Sequence, residues 1–264
     1  MLGTAALGAA AAIPGRHVSP RGIRPGATGQ DSAVHATDIG PLSNKLLAAL
    51  PRKDFEFLVS HLVTVQIARG AVLCEPGREV DQVYFPLSGM ISMVVVMRDG
   101  KAIETAAVGR EGVVGAMAGL GQHILQVRAI AQLPMSACKI TSTELRKAVA
   151  ASPAIGELCF RYNEVLLTQA RVIAACNALH QIEARFCRWL LQTGERAETD
   201  SIMLTQEFLS EMLGVRRTSV TKVVSKLHAV GAISNSRGAI KLIDLNKLKA
   251  MSCECYETLQ EQNP

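Results

Sequence analysis

The chain has 264 residues, 48% of them hydrophobic and 19% charged, with a formal net charge of +5. That length supports one or two domains with a sizeable core, and the composition excludes a disordered chain. No apolar run reaches the roughly 20 residues that span a bilayer, so no membrane association is expected.

The seven cysteines, Cys74, Cys138, Cys159, Cys176, Cys187, Cys253 and Cys255, are odd in number and scattered. Secreted disulfide frameworks more often carry an even set in a shorter chain. Scattered cysteines behave as small buried residues in a reducing compartment, which predicts a cytoplasmic protein. Only Cys253-Glu254-Cys255 is a close pair. With no second pair or histidine near it in the sequence, no metal site is expected.

In chain order, Leu2 to Ile13 is apolar and Ala/Gly-rich, but no Lys or Arg precedes it, whereas a secretory signal has a positive first region. A Pro/Gly/Arg stretch follows, and residues 1–36 read as a flexible tail or an over-extended start. From about residue 40 to 60, Leu46, Leu47, Leu50, Phe55, Leu58 and Val59 recur at helical spacing. From Val63 onward short β-branched runs alternate with glycine-containing turns, ending with Met135 to Ile140. Asp99-Gly100, between Met90–Met97 and Lys101–Val108, predicts a hairpin with a type I′ turn. Strands at this density make residues 37–151 an all-β roll.

Ser152-Pro153 then opens a long helix, Ser as N-cap and Pro in the first turn, expected over residues 152–178. Leu158, Tyr162, Val165, Gln169, Val172, Cys176 and Leu179 step by four and three. That heptad-like seam predicts a helix that pairs with another helix, here as the dimerisation element; the alternative is an ordinary core-facing helix, and seam length alone does not decide between them. A second helix, about His180 to Gln192, carries Ile182, Phe186, Trp189 and Leu190 on one face, and a polar loop follows from Gly194 to Ser201.

Thr205 to Leu227 meets every geometric demand of a helix-turn-helix. Leu209 and Leu213 face inward from the first helix, Ser210 is small where the helices approach, and Gly214 sits at the turn. Val215 plugs the corner, and Val220, Val223 and Leu227 line the inner face of the second helix. Thr205 can cap the first helix. The outward residues of the second include Arg216, Arg217, Thr218, Ser219, Thr221, Lys222 and Lys226, types that contact phosphates and base edges of double-stranded DNA. Arg217 is the expected bidentate guanine contact. Ile233 and Ile240–Ile243 read as strands of a wing, with Arg237 at its tip placed to reach a phosphate. Between Thr205 and Ala250 eight basic residues face three acidic ones, an excess equal to that of the whole chain. The positive charge is therefore concentrated where DNA would lie. Residues 179–252 form this winged helix-turn-helix domain, and 253–264 a tail.

This plan resembles the Crp/Fnr family of bacterial transcription regulators. The resemblance covers about residues 40–250. It is specific in Thr205–Leu227 and in the phrases Arg69-Gly70, Glu75-Pro76-Gly77, Tyr84-Phe85-Pro86-Leu87-Ser88-Gly89 and Gly109-Arg110-Glu111-Gly112-Val113-Val114-Gly115. It implies an α+β protein with a cyclic-nucleotide-binding-like β-roll (a double-stranded β-helix), a long dimerisation helix and a C-terminal winged helix-turn-helix. It also implies a homodimer on a two-fold-related site, with RNA polymerase as a further partner. Where cyclic-AMP members carry an Arg-Glu pair and a later Arg, this chain has Arg217, Thr218 and Lys222. A different operator is implied.

Cyclic-nucleotide binders hold the ribose at a Gly-Glu-Leu-type turn and the cyclic phosphate at an Arg-Ser pair. The matching positions are Gly115-Ala116-Met117 and Leu125-Gln126. Neither Ala nor Leu can take those contacts, though Arg128 is close in sequence. Gly115, Ala116, Gln126 and Arg128 are the candidate contacts for a small-molecule effector that is not expected to be cyclic AMP. No cysteine precedes Cys74, so the N-terminal iron–sulfur cluster of the oxygen-sensing members is not expected, and no cofactor is assigned. His61, His123 and Cys74 match a haem ligand by residue type alone.

Two other readings compete. A metal-dependent enzyme built on the roll would need clustered histidine and carboxylate ligands, yet His17, His35, His61, His123, His180 and His228 include no such pair in the roll. No nucleophile elbow or phosphate loop occurs either, so no enzyme is expected. A ligand-binding or interaction module whose helix-turn-helix has lost DNA contact is opposed by Arg217 and Lys222.

Overall fold

The computed structural model describes residues 40–236 and 238–262. The expected tail at 1–36 and the wing-tip Arg237 lie outside these described residues. Two short helices, α1 (Lys45–Ala48) and α2 (Arg52–Val59), lead into nine strands. These are β1 (Val63–Ile67), β2 (Val72–Cys74), β3 (Arg78–Glu79), β4 (Gln82–Pro86), β5 (Ile91–Val96), β6 (Ala102–Val108), β7 (Ile124–Leu125), β8 (Arg128–Ala131) and β9 (Met135–Thr141). They form antiparallel sheets of order β1-β9-β4 and β2-β8-β5-β6, with β3 paired to β7. Phe85, Leu87, Ile91, Val108 and Ile140 are buried between them. Alternating short strands and glycine turns thus close a β-roll around one apolar interior.

The Asp99-Gly100 hairpin is present with a different turn. Met97 N–H donates to Lys101 O at 2.7 Å, so the loop runs from Met97 to Lys101. Gly100 alone adopts positive φ (84°), where a type I′ turn needs two such residues. The Asp99 carboxylate instead accepts from Lys101 N–H at 3.1 Å, which supports the wider loop.

After β9 the chain turns into α3 (Ser142–Ala151), capped by Thr141, whose hydroxyl accepts from Glu144 N–H. This helix was not anticipated; its run Ser142 to Ala151 lacks a long periodic stripe. Ser152 caps the 27-residue α4 (Pro153–Leu179) through Ile155 N–H. Then come α5 (Ile182–Ala197), β10 (Ser201–Ile202), α6 (Gln206–Leu213), α7 (Arg217–Ala229), β11 (Ile233–Ser236), β12 (Ala239–Leu242), α8 (Leu245–Met251) and α9 (Cys255–Gln260). Helix α5 therefore runs past the expected Gln192, ending at a left-handed Glu198. The segment expected as a tail contains α9, held by Leu259, Tyr256 and Cys255, all buried.

The heptad seam of α4 divides. Tyr162, Gln169 and Cys176 are 1%, 1% and 0% exposed and face their own chain. Tyr162 lies against Gly112, where any side chain would collide with its ring. Gln169 Oε1 accepts from Ala107 N–H at 3.3 Å on β6, and Cys176 lies 3.5 Å, sulfur to sulfur, from Cys253. Ile155, Cys159 and Ile173 continue this inner face. Leu158, Val165 and Val172 are half-buried on its flank, and Leu179 is exposed. Phe160 and Leu167, on the opposite side, are 55% and 40% exposed. A four-and-three repeat marks an apolar stripe; it does not say whether a second helix or the chain's own roll covers it.

Buried polar contacts join the roll to the C-terminal elements. Trp189 Nε1 on α5 donates to Glu104 Oε1 on β6 at 3.0 Å, and Arg196 Nε on α5 donates to Glu111 Oε1 at 2.8 Å. Both members of the second pair are 6% exposed at the side chain. Glu104 is also bonded to Ser92 at 2.6 Å. Burial pushes its carboxyl above the usual carboxylate range, against the bonds and guanidinium charges that oppose the shift.

Candidate nucleic-acid interface

Helices α6 and α7 are built as a crossed pair. Thr205 caps α6, its hydroxyl accepting from Phe208 N–H at 3.2 Å. Gly214 ends α6 at φ 63° and ψ 35°, a left-handed conformation that glycine adopts at least cost. Val215 N–H then returns to Ser210 O at 2.9 Å, closing the turn. Leu209, Met212 and Leu213 of α6 and Val220, Val223, Val224 and Leu227 of α7 are buried in one cluster with Phe186, Trp189 and Leu190 of α5. The inner face expected from the sequence is thus the face that packs.

The opposite face of α7 points outward. Arg216 occupies its N-cap position and Arg217 opens its first turn. Arg216, Arg217, Thr218 and Lys222 are exposed and Ser219 is half-buried. No acidic residue lies in α7, and among the described residues no carboxylate pairs with Arg216, Arg217 or Lys222. A helix N-terminus carrying two guanidinium groups offers its N–H dipoles and fixed positive charge in one direction.

Two expected residues are differently engaged. The Thr221 hydroxyl contacts Gln206 Oε1 at 2.8 Å, which ties α7 to α6. Lys226 Nζ pairs with Glu183 on α5 at 2.7 Å, so its charge is partly answered within the chain. Beside α7, β10, β12 and β11 form the small antiparallel sheet of the wing.

Residues 184–251 match the family model of the Crp-like helix-turn-helix domain, and residues 64–152 match that of the cyclic nucleotide-binding domain. The chain belongs to the Crp/Fnr family. A Crp/Fnr-family transcriptional regulator from Thermus thermophilus is 25% identical, with 72% of this chain and 98% of that one covered and a TM-score of 0.53. FixK2 from Bradyrhizobium japonicum shares the fold at TM-score 0.63 and 16% identity, over 73% of this chain and 98% of that one. The c-di-GMP responsive global regulator CLP of Xanthomonas campestris does so at 0.61 and 17%, over 73% and 99%. No curated protein matches the sequence. This Crp/Fnr protein is a DNA-binding transcription regulator of that type.

The candidate effector residues do not converge in this Crp/Fnr chain. Gly115 and Ala116 line a cavity of about 220 Å³ between the roll and α4, with Val80, Met93, Leu125 and Tyr162 among its walls. Gln126 and Arg128 are not in that lining. Arg128 Nε instead pairs with Glu75 at 2.9 Å, on the β8 and β2 side of the roll. The walls are mostly apolar, and among the described residues no guanidinium lines them.

Proposed function

We propose that the chain works as a homodimer, each copy laying α7 in the major groove of one half of a two-fold-related operator. The observation that carries this is the unanswered charge of Arg216, Arg217 and Lys222 on the outer face of α7. Half-sites would lie roughly 34–36 Å apart along the duplex. Arg217 reads a base edge, while Arg216, Lys222, Ser219 and Thr218 hold phosphates or neighbouring edges. Thr205 fixes the entry of α6, and Thr221 positions α7 through Gln206. Lys226 and Arg237 add longer-range attraction.

The dimer contact falls on the exposed side and flank of α4, through Phe160 and Leu167 with Leu158, Val165, Val172 and Leu179 beside them. Tyr162, Gln169 and Cys176 support α4 from the inside. The effector would be a small, largely apolar molecule in the cavity beside Gly115 and Ala116, since the walls offer nothing to neutralise a cyclic phosphate. Regulation through RNA polymerase in the cytoplasm, without catalysis, completes the reading.

Selection from random duplex DNA followed by sequencing tests it. The expected outcome is enrichment of an inverted repeat with half-site centres one helical turn apart. Enrichment of no sequence, with retention unaffected by salt, would remove the reading. Sedimentation of Leu167→Glu should show a monomer where the parent chain is a dimer.

A further inference from the structure

Cys176, His180, Cys253 and Cys255 come together where α4 meets α5. Each can offer one ligand atom, and the four atoms all lie within 4.8 Å of one another. Cys176 Sγ is 3.5 Å from Cys253 Sγ, and Cys255 Sγ is 3.6 Å from His180 Nδ1. Tetrahedral zinc, with bonds of about 2.3 Å to sulfur and about 2.0–2.1 Å to nitrogen, sets two sulfurs roughly 3.8 Å apart and a sulfur and nitrogen roughly 3.5 Å apart. The observed separations are close to both. The set is too tight to surround an iron–sulfur core, which needs several metals and sulfides between its ligands.

The surroundings also suit a cation held by thiolates. All three cysteines are buried, at 0%, 7% and 7% exposure. His180 Nε2 lies 3.1 Å from Glu254 Oε1, so a carboxylate can hold the ring and leave Nδ1 facing the sulfurs. Ligating histidines almost always carry such an outer partner. Arg185 and Arg188, 7% and 3% exposed, lie early in α5 nearby, and the Nε of each has no partner among the described residues. Buried guanidinium groups call for negative charge. One zinc ion, three thiolates and a neutral imidazole form a centre of net negative charge.

We propose that these residues form a Cys3His site for a single zinc(II) ion, which clamps the junction of α4 and α5 to the segment joining α8 to α9. Such a site runs against the expectation of no metal, which rested on the sequence neighbours of Cys253 and Cys255 alone. The site owes nothing to the outer face of α7, so it stands or falls apart from DNA recognition. Binding displaces the thiol protons to solvent, with no change of oxidation state.

Cobalt(II) titration of the full chain, purified under reductant and stripped of metal, tests the site. The expected result is the intense visible spectrum of tetrahedral cobalt bound to cysteinates, saturating at one cobalt per chain and abolished by zinc. Cys255→Ser and His180→Gln should each lose that spectrum or change its form, whereas Cys74→Ser, in the roll, leaves it unaltered. Glu254→Gln should weaken cobalt affinity roughly 10–100-fold while keeping the spectrum. Should a ligand variant fail to fold, the parent titration still decides. No tetrahedral cobalt spectrum with all thiols free, or a Cys176–Cys253 disulfide in protein kept under reductant, overturns the proposal.

Discussion

The junction between roll and α5 and the outer face of α7 treat charge in opposite ways. At the junction, Arg196 and Glu111 are both buried and pair through Arg196 Nε, and Glu104 is enclosed by Ser92 and Trp189. On α7, Arg216, Arg217 and Lys222 are exposed and meet no acid among the described residues. At this junction a buried charge meets its opposite inside the chain; on α7, charge that serves a partner is left for that partner to answer. Lys226 falls between the two, exposed yet paired with Glu183.

The largest effect should come from breaking the buried pair. Arg196→Ala leaves Glu111 buried without its cation and should cost about 3–5 kcal/mol in urea unfolding. A loss near zero would mean that the junction is more hydrated than its burial indicates. Next, Arg217→Ala should remove about 1–3 kcal/mol of base discrimination, measured as the ratio of operator to random-duplex affinity. Equal losses on both DNAs would move Arg217 from base reading to phosphate contact.

Glu104 sharpens the contrast through pH. Its folded carboxyl titrates above the unfolded one, so the folded state holds the proton more tightly. Stability from this group is full below the unfolded pKa and is lost as pH rises through the folded value. Glu104→Gln should flatten that decline in a series of melts, and an unchanged slope would assign the decline elsewhere. Smallest of all is the difference between two lysines. Lys222→Ala should make the salt dependence of DNA binding shallower by about one unit. Lys226→Ala should change it less, because Glu183 already answers part of that charge. Equal changes would show that the Glu183 pair opens on DNA.

The helix-turn-helix was legible because its demands are local. Gly214 at the turn, Leu209 and Val220 inside, and Arg217 outside all lie within one short stretch. The roll was legible at its glycine turns, although β3 and β7, two residues each, were too short to stand out. Two features were not. The stripe on α4 could have faced a partner or its own roll, and only the fold turns Tyr162, Gln169 and Cys176 inward. The cysteine cluster depends on Cys176 and His180 meeting residues more than 70 positions away; no spacing rule reaches that far.

The glycine that shapes the turn of the helix pair also lies beneath the β5–β6 hairpin: a Cβ placed on Gly214 would come within 2.7 Å of Ile103 Cδ1. Position 214 therefore answers to two masters, the backbone twist of the reading unit and the fit of the roll leaning on it. Any swing of that unit away from the roll must first peel the Ile103 side chain off the bend. An engineer wishing to loosen the two halves without spoiling the reader would trim residue 103 and leave the glycine alone.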